Sequence, residues 1–190
     1  MSEDSPQPTE FEGHGYRFGI VAARFNQGLV DDLLERCLRT LDAAGVREED
    51  IETVRVPGSH EIPYAAAMMA KGWEFDAVIA LGVVIAGDTH HHDMIASATS
   101  TALLRVGLDW EIPVINGIIT TNNRTQAEER CAGELNRGKE FALAALEMAE
   151  LKRRLIQRLD DLEAAQREVD ILPFDEPDDF ADDEEEPWKF

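Results

Sequence analysis

The chain has 190 residues, of which 44% are hydrophobic and 30% charged, with a formal net charge of −21. That length and apolar content support one ordinary globular domain with appendages, and the acidic balance argues against a nucleic-acid partner, whose phosphates need clustered Lys and Arg. No run approaches the roughly 20 apolar residues of a membrane helix, and no basic segment followed by an apolar run opens the chain, so the expectation is a soluble, cytoplasmic protein without membrane association. The charge is uneven: residues 158–190 hold fourteen acidic and three basic side chains, a net of −11, which leaves −10 for residues 1–157. Cys37 and Cys131 lie in helix-like contexts without Cys-x-x-Cys spacing and read as buried or idle thiols.

Residues 1–15 are polar, contain Pro6 and Pro8 and lack periodicity, which predicts a mobile arm. Arg17 to Ala23 reads as a first strand, and Gly28 to Ala44 as a helix with Leu29, Leu33, Leu34, Leu38 and Leu41 at helical spacing, ended by Gly45. Ile51 to Val56 is a second strand closed by Pro57-Gly58, followed by a helix over Ile62 to Lys71. Ala77 to Ile85 (AVIALGVVI) is the most continuous apolar run, as in a central parallel strand buried on both faces. A third helix is predicted over Asp93 to Val106, a fourth strand over Pro113 to Thr120, and helices over Thr125 to about Glu134 and Lys139 to Glu150, interrupted near Asn136-Arg137-Gly138. Strands alternating with helices imply βαβ crossovers and a parallel sheet covered on both faces. Beyond Glu150 the apolar stripe Leu151, Leu155, Leu159 and Leu162 predicts an extended helix that packs on its own domain or a neighbouring subunit in preference to forming a free coiled coil. From Leu172 the chain turns to Pro, Asp and Glu and should be disordered. The organisation expected is an arm over 1–15, a domain over 16–157, and a helix extension with an acidic tail over 158–190.

Ligands of open parallel sheets bind beyond the carboxyl ends of the strands, so the segments leaving those ends are the place to look for chemistry. They are Arg24-Phe25-Asn26, the run Val56 to Pro63 (VPGSHEIP), Gly87-Asp88-Thr89-His90-His91-His92-Asp93, and Thr120-Thr121-Asn122-Asn123. Gly87-Asp88-Thr89 precedes a helix, where Asp88 or Thr89 can cap and free backbone N–H groups make a phosphate seat; taken alone it is more simply an ordinary glycine turn. Imidazoles titrate near neutrality, so His90, His91 and His92 offer a general acid or base. A solvated turn and a metal site are the alternatives, the metal weakened because consecutive side chains diverge and the i, i+4 spacing is missing. Glu61 at a helix start has the macrodipole as its simplest role. Phe25 either plugs the core edge or stacks on a planar ring. Arg130, beside Glu128 and Glu129, makes either a solvated ion pair or a phosphate fork.

Together these segments, with Ala23-Arg24-Phe25-Asn26, Gly82 to Asp93, Pro113 to Thr121 and Ala144 to Met148, resemble the lumazine synthases of riboflavin biosynthesis. The resemblance spans roughly Arg17 to Leu151. It implies a three-layer α/β/α sandwich with a four-stranded parallel, flavodoxin-like sheet of order 2-1-3-4. It further implies condensation of 5-amino-6-(D-ribitylamino)uracil with 3,4-dihydroxy-2-butanone 4-phosphate, small-molecule substrates that need no metal and no redox cofactor. By position, His91 would relay protons; Phe25 would stack on the pyrimidine; Ser59, His60 and Glu61 would line the pyrimidine and ribityl region, with backbone groups of Val83, Val84 and Ile85. Asp88, Thr89 and Arg130 would bind phosphate. The family implies pentamers with sites between subunits, Asn116 and Arg130 coming from the neighbour, and admits association with riboflavin synthase.

The sequence departs from the family pattern at named places. Ala86 stands where Arg or Lys is frequent, which removes one cation near the phosphate; His60 and His92 occupy positions often aromatic, Asn116 replaces a phenylalanine found in some members, and Arg137 stands where Lys is common. These departures and the tail keep a non-catalytic flavin- or lumazine-binding shell protein as the alternative. A flavodoxin-type carrier is disfavoured because the first loop lacks a phosphate-binding run of Ser, Thr and Gly.

Overall fold

The computed structural model describes residues 11–72 and 74–171, the last four of these by backbone alone. Four parallel strands, β1 (Phe18–Ala23), β2 (Ile51–Val56), β3 (Ala77–Ile85) and β4 (Val114–Thr121), form one sheet in the order β2-β1-β3-β4. The helices are α1 (Gln27–Ala43), α2 (Ile62–Lys71), α3 (His91–Asp109), α4 (Arg124–Cys131) and α5 (Arg137–Ile171), with short 3₁₀ turns at Glu48–Asp50 and Ser59–Glu61. The expected α/β sandwich, its strand order and its extended last helix are all present.

The period-two alternation of strand side chains divides the core. Phe18, Ile20 and Ala22 of β1, with Ala77, Ile79, Leu81 and Val83 of β3, pack against α1, α4 and α5; Val21, Ala23, Val78 and Ala80 face α2 and α3. Both central strands therefore read as unbroken apolar runs, whereas the edge strand β4 mixes exposed and buried positions and β2 has only half-buried and exposed ones. On α5 the side toward the sheet is small, Ala142, Ala145 and Ala149 around Leu146, which lets the helix sit close to the sheet. Its position is fixed further along: the Arg153 guanidinium forms two 2.8 Å bonds to the Asp76 carboxylate and stacks 3.8 Å from the Tyr16 ring centre, while Asp76 also accepts from the Arg17 backbone N–H at 2.8 Å.

Several boundaries move for identifiable reasons. The third helix starts two residues earlier than predicted, at His91, which makes Asp93 its third residue, where a carboxylate complements unpaired N–H groups. Neither Asp88 nor Thr89 caps it; His90 holds the cap position without a side-chain hydrogen bond. The interruption predicted around Asn136-Arg137-Gly138 falls on residues 132–136, and α5 begins at Arg137. Asn136, left-handed at φ 39, accepts from the Lys139 N–H at 3.2 Å and acts as a cap.

The arm expected over residues 1–15 is not uniform. Residues 1–10 and the acidic segment from Leu172 lie outside the described residues, but Phe11 packs on the core and the Gly13 N–H donates to the Ala44 carbonyl at 2.6 Å. The described chain divides after Leu155, so residues 156–171 of α5 form a unit of their own. On it Leu159 and Leu162 are 60% and 61% exposed, as Leu155 is at 50% just before it. Of the two coverings expected for the stripe, its own domain or a neighbouring subunit, the single chain does not supply the first at these positions. Among the described residues no helix is long and apolar enough to cross a membrane.

A Cβ at Gly117, in the middle of β4, would lie 2.6 Å from the Ala80 backbone oxygen and 2.9 Å from Leu81 Cδ2. Backbone in a central strand has little room to yield, so Gly117→Ala is expected to cost about 1–3 kcal/mol, read from the urea midpoint; an unchanged midpoint would show that the sheet adapts. Burial pushes the thiols of Cys37 and Cys131 up to about 12, with Asp32 adding at Cys131. Unfolded thiols ionise near 9, so between about pH 9 and 12 the folded state holds protons that the unfolded state has lost, and stability falls as pH rises through that window. A thiol-exchange reagent at pH 8 should leave the native protein unmodified and titrate both cysteines after unfolding.

Candidate active site

The sheet's register creates the site. β1 pairs with β3 only as far as Ala22 opposite Leu81, while β3 continues against β4 to Ile85 opposite Thr121. The end of β3 thus overhangs β1. Even-numbered residues of this strand turn their backbone toward β4, as Val78 N–H does in bonding the Pro113 carbonyl, so Val83 and Ile85 turn theirs toward the overhang. The Val83 carbonyl there accepts from Asn26 Nδ2 at 2.9 Å. Of the three backbone positions expected to serve a ligand, Val84 faces β4 and contributes its side chain.

Around this overhang lies a cleft of about 390 Å³ lined by Phe25 and Asn26 from the exit of β1, the Gly58–Glu61 turn, Val83 to Ile85, and Gly87, Thr89, His91, His92 and Ile95 at the entry to α3. Phe25 is 72% exposed, so it does not plug the core edge; its ring is offered to the cleft. Asn26 is held left-handed at φ 56, which directs its amide back across the strand end. Arg24 and Phe25 N–H groups bond the Val56 and Pro57 carbonyls at 2.8 and 3.0 Å, tying the exits of β1 and β2 together.

The turn before α2 is pinned from three sides. Glu61 accepts from the Gly58 N–H at 2.9 Å, which gives its carboxylate a local bond in addition to its place in the cleft. Thr99, buried on α3, donates to the Ser59 carbonyl at 3.4 Å. Ser59 Oγ lies over Gly82, where a Cβ would come within 2.5 Å of it, and has no protein hydrogen-bond partner. A buried hydroxyl without a partner is costly unless something else engages it, which fits a ligand-facing position.

The three histidines separate. His91 is exposed and lines the cleft. His92 is 17% exposed, its Nδ1 2.9 Å from the Thr89 carbonyl and its Nε2 3.3 Å from Asp93 Oδ1. His90 is 97% exposed, outside the cleft lining, with Nδ1 3.4 Å from Asp93 Oδ2. Among the described residues no group of three or more His, Cys, Asp or Glu side chains is placed to hold a metal ion.

Three of the sequence-predicted residues do not line this cleft within one chain: Asp88, Asn116 and Arg130. Asp88 is exposed between Gly87 and Thr89, both of which do. Asn116, on β4, donates to Ser100 Oγ at 3.0 Å and accepts from the Ile118 N–H at 3.2 Å. Arg130 bonds the Gln126 carbonyl at 2.9 Å, and the ion pair with Glu128 considered for it is instead made by Arg124 at 2.7 Å. Among the described residues no Lys or Arg lines the cleft.

The family model described as 6,7-dimethyl-8-ribityllumazine synthase matches residues 15–153. The chain belongs to this family. Among proteins named 6,7-dimethyl-8-ribityllumazine synthase, that of Cupriavidus pinatubonensis is 42% identical over 144 residues, covering 76% of this chain and 84% of the relative. That of Thermococcus gammatolerans is 44% identical over 145 residues, covering 76% and 93%. The lumazine synthase match includes every strand and every residue of the cleft, and it ends inside α5.

Sequence reasoning gave no role to Asn26, Gly82, Ile95 or Thr99. Asn26 carried a usable signal, an asparagine directly before a helix and after a buried strand, where left-handed caps occur. Thr99 carried none, because its contact with Ser59 is made across 40 residues.

Proposed function

We propose that the protein is a lumazine synthase that condenses 5-amino-6-(D-ribitylamino)uracil with 3,4-dihydroxy-2-butanone 4-phosphate to 6,7-dimethyl-8-ribityllumazine in the cytoplasm, a step of riboflavin biosynthesis. The observation that carries this reading is that Phe25, the Ser59–Glu61 turn, the β3 overhang and His91 line one cleft in a chain of this family. The amine attacks the ketone and water is lost to an imine; phosphate departs, the ring closes and a second water leaves. Phe25 stacks on the pyrimidine. Ser59 Oγ, His60, Glu61 and the Ile85 backbone meet polar groups of the pyrimidine and ribityl chain, and His91 accepts and returns protons during imine formation and phosphate loss.

Phosphate would sit on the unpaired N–H groups from Asp88 and Thr89 into the first turn of α3. A cation is wanted there and the single-chain cleft has none, so the reading assigns it to Arg130 of an adjacent copy, with Asn116 on the same imported edge. Exposed Met94, Leu104 and Leu108 on α3 give a copy of the chain an apolar face to cover. Assembly into pentamers follows from the family reading, and association with riboflavin synthase would build on it.

The two-substrate assay tests the proposal: product absorbance should appear with release of one inorganic phosphate per turn. Protein that binds the ribitylaminouracil but makes no product across neutral pH defeats it, and supports the binding-only alternative that Ala86 and the cation-free cleft wall favour.

A further inference from the structure

The segment of α5 beyond the family match carries a pattern that the catalytic reading does not use. Leu155, Leu159 and Leu162 are spaced by four and three, and Gln166 follows by four, the alternation of positions a and d in a coiled-coil heptad. In this register Leu155 and Leu162 are d residues, Leu159 and Gln166 are a residues, Arg158 falls at g, and Ile156 and Glu163 at e; the preceding a position, Lys152, bonds the Phe75 carbonyl at 3.3 Å, so the free seam begins at Leu155. Leu155, Ile156, Leu159 and Leu162 are all 45% exposed or more. Asp160 and Asp161 occupy the outward b and c positions, where Asp161 accepts from Gln157 within the helix at 2.9 Å.

We propose that residues 155–166 of α5 form a parallel, in-register coiled coil with the same segment of a second copy of this chain. The flanking positions select that partner and that direction. In a parallel pair, each g residue meets the e residue five positions later on the partner. Arg158 then meets Glu163, so a cation faces an anion on both sides of the pair. An antiparallel pair sets g against g and e against e, which places Arg158 against Arg158 or Ala165, and Glu163 against Glu163 or Ile156; none of these is complementary. Glu163 also lies 3.4 Å from Arg167 on its own helix, and a carboxylate can serve both cations. Gln166 at an a position is the type of polar interruption that fixes register at some cost in stability. This inference does not depend on the enzymatic reading, since it concerns residues beyond the cleft.

Cross-linking of the intact chain tests it. Cys37 and Cys131 are buried, so they give little background. Leu155→Cys and Leu162→Cys should each form disulfide-linked dimers under mild oxidation on the order of tenfold faster than the outward Asp160→Cys, because the seam supplies a high local thiol concentration. An antiparallel pair can bring only one of the two positions opposite itself, so cross-linking at one alone overturns the proposal, as does cross-linking at neither. In the Leu155→Cys background, Arg158→Glu alone and Glu163→Arg alone should both slow the reaction, and co-expression of the two variant chains should restore it through matched pairs. Equal rates in all three samples would overturn the partner and direction proposed. Lumazine formation is measured separately and is expected to be unchanged by Leu162→Cys.

Discussion

Replacing His91 by alanine is expected to lower turnover far more than the same change at His90 or His92. General acid or base assistance contributes about 10²- to 10⁴-fold, and buffer species can replace part of it in an open cleft, so the lower end is the expected loss. The geometry sets the rank. His91 lines the cleft, whereas His90 is 97% exposed outside it, and its alanine variant should turn over nearly as wild type. His92 reaches the Thr89 carbonyl at 2.9 Å and thus holds the turn that would seat phosphate. Its loss should appear first as a higher KM for the phosphorylated substrate, with kcat less affected. Added imidazole should rescue His91→Ala and leave His92→Ala unchanged. Equal kcat losses at all three positions would remove the assignment of His91.

The sequence was most legible where one physical constraint dominates. AVIALGVVI can be buried on both faces only as a central strand, and β3 occupies those nine residues, Ala77–Ile85. The cleft was legible because its residues cluster at strand exits, where a parallel sheet presents ligands. What stayed hidden depends on packing between distant segments. Gly138 fell in the interruption expected between two helices, yet it lies in the first turn of α5, where a Cβ would collide with the backbone of α1 at Leu33. Gly82 looked like one more small residue in a buried strand, and its role appears only when Ser59 is seen lying over it. The overhang of β3 past β1 is a matter of register, which no local pattern encodes. Arg130 shows the limit most clearly: its neighbours Glu128 and Glu129 invited an ion pair, but Arg124 takes Glu128, and the guanidinium bonds Gln126.

Mixing two impaired variants is expected to regenerate activity if the phosphate cation comes from an adjacent copy. Arg130 does not line the cleft of its own chain, and among the described residues no other Lys or Arg does. A heterologous ring interface would bring the His91 edge of each copy against the Arg130 edge of the next. Arg130→Ala should then raise the KM for the phosphorylated substrate sharply, since a charged donor to phosphate is lost from a site with no other cation. His91→Ala should act on kcat. When the two variant chains are co-expressed, one junction type joins an intact His91 to an intact Arg130, and random arrangement makes that about a quarter of all junctions in a ring. Recovered activity should approach that fraction of wild type, with KM back to its wild-type value in the recovered sites. The KM distinguishes this outcome from simple stabilisation of a weak variant, which would raise the amount of active protein without restoring the affinity. No recovery on co-expression, with assembled mixed oligomers verified by mass, would mean that each chain completes its own site. Arg130 would then have to swing into its own cleft by giving up the Gln126 carbonyl.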